Sequence, residues 1–473
     1  MEFIVFVETK LGNRSLGVTE VMRVYRDEHD VQPEDVGLSL DEGKAVIQEV
    51  QHQIVTDQII LVSAMAKVCE HCGREKNDKD LRSRVIRTVF GRVDVNCYRY
   101  FKCSCLKFRG KYDWPLYWLK KDGATPEYRY LITRWGSLVP YRQAATILRE
   151  FLPLSGDGLS HATVRRHTMA VGVLIDSRAT EPDEYEFSVK AKDFDPPPAG
   201  RLLVAIDGTY VKANRRGFER QHFVLAGRVE RNGRLDGRFA WVAPNPEAAL
   251  MLMKTALKDH GLTTDSSVAV LADGADGLKN LVGNSVEQGA RSVLDWFHIS
   301  MRLRPMEQML NTVSGSIADL KDSAIFSKLL PNLRHQMWHG QWNEANVRMR
   351  EIFDCCEHDP ASTTPAKSAR LARFRKHVLD LRDYLRNNWN SLTNYSDARR
   401  KGLRISSAPA ESNMHHIVNQ RMCKLQPMRW TAEDAHNLLQ VRCAVLDGRL
   451  SRLFGQWYPR FQMATEINEE HYM

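Results

Sequence analysis

Long apolar runs are missing from this chain. The N-terminal stretch FIVFV is about five residues, far short of a secretory signal core or a bilayer span. The mean hydropathy of -0.42 fits a water-soluble chain, so a membrane-embedded role is set aside and no membrane partner is expected. Cysteine is scarce. Nine cysteines scattered unevenly over 473 residues exclude a secreted disulfide framework. No internal repeat is evident, which sets aside solenoids and propellers. Acidic charge is the minority sign: 67 Lys and Arg outnumber 58 Asp and Glu, giving a net charge of +9. That excess argues for a polyanionic partner, though not for any particular fold. Hydrophobic content is 43%, enough for real cores, and the length suits about three domains of ordinary size.

Ser39 and Glu42 have the spacing of a capping box. The apolar spacing behind them predicts one long helix over 39–66, suited to packing or dimerisation. Before it, a short strand-like run and a polar stretch reach about Gly37. Residues 1–66 are therefore read as a helical N-terminal region. Residues 67–118 alternate apolar and polar around Gly91, which reads as a hairpin flanked by cysteines. Residues 126–172 read as helical, with a break near Gly156, inside a region over 119–178 expected to be a helix-turn-helix DNA-binding domain. An acidic linker over 179–200 contains Asp195-Pro196-Pro197-Pro198. From Arg201 three strands follow in succession, then a helix near 246–260, a fourth strand, a helix and a fifth strand ending in LDWF. That order predicts an α/β unit with a mixed sheet flanked by helices. Its first part covers 201–300. A helical, basic stretch spans 301–400, and 401–473 completes the unit and ends in a tail.

Two apolar strands end in acid. VAIDGTYV places Asp207 at a strand end, and VAVLADGADG does the same for Asp273, with Asp276 as its rival. SSAPAESNMHHIVNQRM sets Glu411 in the first turn of a helix. Each acid alone could be a turn residue or a helix-start carboxylate favoured by the macrodipole. Together they suit a cage for two Mg²⁺ (or Mn²⁺) ions, which oxygen ligands share with phosphate. Such a pair stabilises both the attacking and the leaving oxygen of a phosphoryl displacement.

Cys69-x-x-Cys72 and Cys103-x-Cys105 flank the expected hairpin. Two close pairs can bring four thiolates to one Zn²⁺, as in a zinc ribbon. Cys97 and His71 are possible substitute ligands. Cys355, Cys356, Cys423 and Cys443 show no pairing logic. Residues 141–172 read as a helix, a glycine-containing turn and a second helix capped by Ser160. His161, Thr163, Arg165, Arg166 and His167 could face outward from that second helix. A helix-turn-helix places its second helix in the major groove, where arginine suits guanine edges. The alternative is a plain helical hairpin.

VAIDGTYV, VLADGAD, LDWFHIS and SAPAESNMHHIVNQRM resemble the catalytic motifs of bacterial insertion-sequence DDE transposases. The resemblance is closest to the Mutator-like groups, including Kra-type insertion sequences, and covers most of the chain, from the N-terminal helix through about residue 450. It implies a ribonuclease-H-like core with an all-α insertion, and the acids in the order Asp207, Asp273, Glu411. Asp295-x-x-His298 fits the Cys/Asp-x-x-His motif of such proteins. His298 would then contact a phosphate or orient the site, or be a buried structural histidine. Arg421, on the Glu411 helix, is either a phosphate ligand or a solvated arginine. Trp338 and Trp342, placed on one helical face by their spacing, pack in a core or stack on an unpaired base. The implied activity is Mg-dependent cleavage at transposon ends and strand transfer into target double-stranded DNA. A homodimer or higher homo-oligomer is expected, in the bacterial cytoplasm at the nucleoid. The competing readings are a non-catalytic DNA-binding regulator and a ribonuclease-H-like nuclease.

Overall fold

The computed structural model describes residues 1–29, 32–105, 112–117, 119, 122–154, 158–180, 201–214, 220–231, 234–243, 245–274, 276–314, 320–356, 364–406, 414–424 and 428–462. The chain divides into two compact units. The first runs from Met1 to Leu174 and is rejoined by the chain from Gly448 onward. The second is Ile175–Asp447.

The first unit opens with a hairpin, β1 (Glu2–Leu11) and β2 (Arg14–Tyr25). The expected polar stretch is instead a paired strand, because Val18, Val21 and Val24 supply β-branched residues on a polar background. Helix α1 (Leu40–Lys67) follows. The Ser39 hydroxyl accepts from the Glu42 amide, and the Glu42 carboxylate accepts from the Ser39 amide, so the expected capping box forms. Strands β3 (Asp78–Thr88) and β4 (Gly91–Phe101) pair antiparallel, and β5 (Tyr112–Asp113) adds to β4. The turn between β3 and β4 needs Gly91, whose φ is +111°. Val55 and Ile59 of α1 pack on Ile86, Val93, Val95 and Cys97 of this sheet.

Three helices come next: α2 (Pro126–Leu138), α3 (Tyr141–Phe151) and α4 (His161–Thr180). Gly136 lets α2 and α4 approach closely. A Cβ there would stand 2.5 Å from the Thr168 hydroxyl and 2.7 Å from a Val164 methyl. The chain returns to this unit as α14 (Leu450–Trp457). Its Phe454 is buried against Tyr130 of α2 and against Phe461. The sequence reading had grouped this stretch with the end of the second unit.

The second unit is built on a mixed sheet of β6 (Arg201–Lys212), β7 (Gln221–Arg231), β8 (Arg234–Trp241), β9 (Ser267–Ala272) and β10 (Arg291–Leu294). Strand order is β10-β9-β6-β7-β8. The first three strands are antiparallel, and β9 and β10 run parallel to β6. One face carries Leu202, Val204, Ile206, Val268 and Val270. It is packed by α5 (Pro246–Asp259) and α6 (Asp276–Asn284).

Helices α7 (Trp296–Ser314), α8 (Leu320–Trp338), α9 (Trp342–Cys355), α10 (Pro365–Asn387) and α11 (Tyr395–Arg400) follow β10. They share a separate apolar core around Leu303, Leu333, Ile352, Phe374 and Leu381. Helix α12 (His415–Lys424) winds wide, with i→i+5 hydrogen bonding, and packs against β6 and α13 (Ala432–Leu446). The buried Arg442 of α13 donates to the Ile417 and His416 carbonyls.

Candidate active site and cysteine cluster

Strand register builds the acidic site. The last β6–β9 pair is Ala205 with Leu271, and the last β9–β10 pair is Ala272 with Leu294. Continuing these registers by two residues and by one puts Asp207, Asp273 and Asp295 in a single row. The row lies just past the carboxyl ends of β9 and β10, whereas β6 runs on to Lys212 paired with β7, so Asp207 sits inside its strand and not at the strand end that the sequence suggested. In open α/β sheets, ligands bind beyond such strand ends. Burial raises the pKa of Asp207 above the ordinary carboxylate range, and the Asp273 and Asp295 carboxylates push it further up. The Gly208 amide, donating to Asp207 at 2.7 Å, and the nearby His298 oppose the shift.

Asp295 is fully buried. Its carboxylate accepts from the Phe297 amide at 2.8 Å, capping α7. Its other oxygen lies 3.6 Å from His298 Nε2, one turn along the same helix. His298 is half-buried and close enough to influence Asp207. It is therefore held at the acid row by the helix that Asp295 starts.

Sequence reasoning missed the clamp behind Asp273. The Tyr384 hydroxyl of α10 donates to the Asp273 carbonyl at 2.6 Å. Burial pushes the Tyr384 pKa up to about 12, and the Asp273 and Asp295 charges add to that. Asn388, one turn on, donates to the Tyr384 carbonyl at 2.9 Å and accepts from Lys279 at 2.9 Å. Its side chain covers Gly274, whose φ is +101° and where a Cβ would stand 2.9 Å from the Asn388 amide atoms. The guanidinium of Arg302 lies 3.9 Å over the Tyr384 ring. No local signal could reveal these contacts, since Tyr384 and Asp273 are 111 residues apart.

Glu411 lies outside the described residues, as does the side chain of Asp276. The described chain resumes at Met414, just before α12, which packs on the strand that carries Asp207. Arg421 of α12 is buried, its guanidinium 5.7 Å from the centre of the Trp430 ring. At 0% exposed it is neither the solvated arginine nor an accessible phosphate ligand, the two roles the sequence suggested.

No family model matches the chain, and no curated protein matches it in sequence.

The two tryptophans are not on one helix. Gly340, at φ +71°, turns the chain between α8, which ends at Trp338, and α9, which begins at Trp342. Both rings are half-buried. Trp338 packs edge-on to Trp296 at 5.0 Å, and Trp342 lies edge-on to Tyr395 at 6.2 Å. The Tyr395 hydroxyl donates to the last residue of β10, Leu294, at 2.8 Å. This aromatic group thus fastens the helical layer to β10 and works as core.

In the first unit, Cys69 and Cys105 have their sulfurs 3.5 Å apart, and Cys72 and Cys103 theirs 3.4 Å apart. All four sulfurs lie within 4.8 Å of one another. A tetrahedral ion with metal–sulfur bonds of about 2.3 Å needs sulfurs about 3.8 Å apart, so the cluster could bind a metal such as zinc. Gly73, at φ +71°, closes the first turn, and the Cys69 amide donates to the Arg74 carbonyl at 2.9 Å. The Cys72 and His71 amides aim at the Cys69 sulfur and pull its pKa down to about 6, favouring the thiolate a metal requires. Cys97 is not a substitute ligand. It is buried in the α1–β4 core, 3.6 Å from the Ser63 hydroxyl, and burial raises its pKa.

Arg165 and Arg166 are exposed on α4. His167 is not. It is 1% exposed, packs edge-on to Tyr128 at 5.7 Å, and desolvation lowers its pKa to about 4. It is a neutral core histidine and is withdrawn as an outward-facing DNA contact. The connection from α3 to α4 spans residues 152–160, longer than the usual turn of about 3–4 residues in a helix-turn-helix.

Proposed function

We propose that the chain is a DNA transposase that cleaves phosphodiester bonds at the ends of its own element and joins them to target DNA. The observation that carries the reading is the acid row that runs from Asp207 within β6 to Asp273 and Asp295 just past the ends of β9 and β10. Sheet order supports it: three antiparallel strands, with two parallel strands added beside the first, is the arrangement of a ribonuclease-H-like core. In this reading α7–α11 are the insertion ahead of the third acid. Crowding carboxylates around a half-buried aspartate is electrostatically unfavourable, and a divalent cation relieves it. Asp207, Asp273 and Glu411 are the residues that would hold Mg²⁺. When bound, Mg²⁺ supplies Lewis acidity to the phosphoryl oxygens and lowers the pKa of a coordinated water.

The protein's own groups have separate tasks. Tyr384 and Asn388 fix the turn that follows Asp273. Asp295 starts the helix that presents His298, and His298 is placed to hold or pass a proton beside Asp207. In the first unit, Arg165 and Arg166 contact the element end, and the cysteine cluster, loaded with zinc, stiffens the hairpin beside it.

The test uses DNA carrying the sequences that flank the gene, incubated with purified protein and Mg²⁺. Nicking at a defined position is expected. Asp207→Ala and Asp273→Ala should each cut the rate by at least about a hundredfold while gel-shift binding of the same DNA persists. A variant that cleaves at the wild-type rate removes that aspartate from the site.

A further inference from the structure

The two faces of the second unit's sheet are not equally covered. On the side packed by α5 and α6, Leu202 and Val268 are 0% and 6% exposed. On the other side, near the start of the strands, Leu203, Ala269 and Val293 are only half-buried, although β6 and β9 lie inside the sheet. They line a cavity of about 640 Å³, within the usual size of small-molecule sites, about 300–1,000 Å³. Register sets Arg291, Ala269, Leu203 and Glu230 in one row across β10, β9, β6 and β7. Three interstrand steps span about 14 Å. Arg201, Arg291, Lys401 and Arg404 line the cavity against a single acid among the described residues, Glu230.

That acid is a fixture of the wall. Glu230 is 1% exposed, with one oxygen 2.7 Å from Arg228 and the other accepting from Arg404 Nε. A guanidinium has five N–H donors, and the Arg404 side chain stays 39% exposed. Lys401 pairs with Asp397 at 2.7 Å. Arg291 is exposed, its Nη2 lying 3.4 Å from the Thr393 hydroxyl. Thus Arg291 stands at one end of the row, and Arg404, gripped by Glu230, at the other. Between them lie only Ala269 and Leu203. The cavity is separate from the acid row. Asp207 comes four residues after Leu203 on β6, an even step that keeps both on one face, about 13 Å apart. Ala205 and Leu271, paired in the row between, are 3% and 0% exposed and divide the two.

We propose that this cavity binds one nucleotide, with its base on the Leu203–Ala269 floor and its phosphates on Arg291 and Arg404. Guanidiniums at opposite ends of an apolar floor call for a ligand that is apolar in the middle and anionic at both ends. A nucleoside with phosphate on its 3′ and 5′ oxygens has that form. A fatty acid has one charged end, and inorganic phosphate has no apolar part. Arginine binds phosphate bidentately and also stacks on planar rings. A free nucleotide and a nucleotide within a strand offer the same chemistry.

The inference does not depend on the proposed cleavage, and its test reads binding alone. Deoxyadenosine 3′,5′-bisphosphate is titrated calorimetrically into the full chain in chelator, so that no metal joins its phosphates to the acid row. Saturable binding of one ligand per chain is expected, with deoxyadenosine and inorganic phosphate each weaker by at least about tenfold. Arg291→Glu should weaken the bisphosphate at least about tenfold and, at an exposed position, keep the wild-type melting temperature. Ala269→Phe, which fills the floor without adding charge, should weaken it as well. Asp207→Asn should bind as the wild-type chain does. A short single-stranded oligonucleotide separates the two sources: displacement of the bisphosphate assigns the site to a nucleotide within a strand, and no displacement to a free one. Absence of bisphosphate binding at about 1 mM overturns the inference. So does inorganic phosphate that binds as tightly as the bisphosphate, or an affinity that Arg291→Glu leaves unchanged.

Discussion

Asp207 occupies a place that resists its own charge, and that resistance can be measured. Its pKa is raised in the folded chain by burial and by Asp273 and Asp295. An acid with a raised folded pKa binds its proton more tightly folded than unfolded. Its favourable contribution is present below the unfolded carboxylate value and is lost as pH rises through the folded one. Above that window the ionised group costs stability. Asp207→Asn removes the charge and keeps the shape. In chelator at pH 8 the variant should melt higher than the wild-type chain. The gap should close as pH falls below the ordinary carboxylate range. Added Mg²⁺ should raise the melting temperature of the wild-type protein and leave the variant nearly unmoved. A variant that melts lower than wild type at pH 8 in chelator would show that the acid row is not repulsive.

At the scale of single elements, α4 separates residues that the sequence places side by side. Arg165 and Arg166 point to solvent, while His167, the next residue, is sealed against Tyr128. The helix turns about 100° per residue, and Gly136 draws α2 onto the side where His167 and Thr168 lie. Arg165→Ala and Arg166→Ala should each cost about 1–3 kcal/mol of affinity for the element end and less for random DNA. Fluorescence anisotropy at one fixed salt concentration decides. Equal losses on both DNAs would make the arginines phosphate contacts alone. The same contrast explains what could be read in advance. The succession of five strands from Arg201 to Leu294 and the α1 capping box follow from local patterns, apolar runs and S-x-x-E spacing, although β6 runs five residues past Asp207 and Trp296 and Phe297 belong to α7 rather than to the fifth strand. The partition of α4 into wet and dry sides did not, because it depends on which helix packs there. Trp338 and Trp342 misled because helical spacing counts only inside one helix, and Gly340 ends it. Tyr384 was invisible for a different reason. Its one decisive bond reaches the main chain of Asp273, and a main-chain acceptor leaves no mark in the sequence.

At the scale of the whole chain, the sequence leaves the first unit, builds the second and returns to the first. The stability of the first unit therefore depends on residues that follow the second unit in the chain. Phe454 of α14 is 1% exposed and touches Tyr130 at 5.5 Å, Trp457 at 5.1 Å and Phe461 at 5.5 Å. Removing such a ring from a packed core costs about 3–5 kcal/mol. The second unit draws on separate cores beneath β6–β9 and among α7–α10. Phe454→Ala should accordingly loosen the first unit and spare the second. Hydrogen exchange followed by mass spectrometry reads this directly. Peptides from α2 and α3 should exchange faster, and those from β6 and β9 at the wild-type rate. Binding to the element end should weaken with the loosened unit. If β6 and β9 exchange faster by the same factor as α2, the two units unfold as one and the returning helix supports the whole chain.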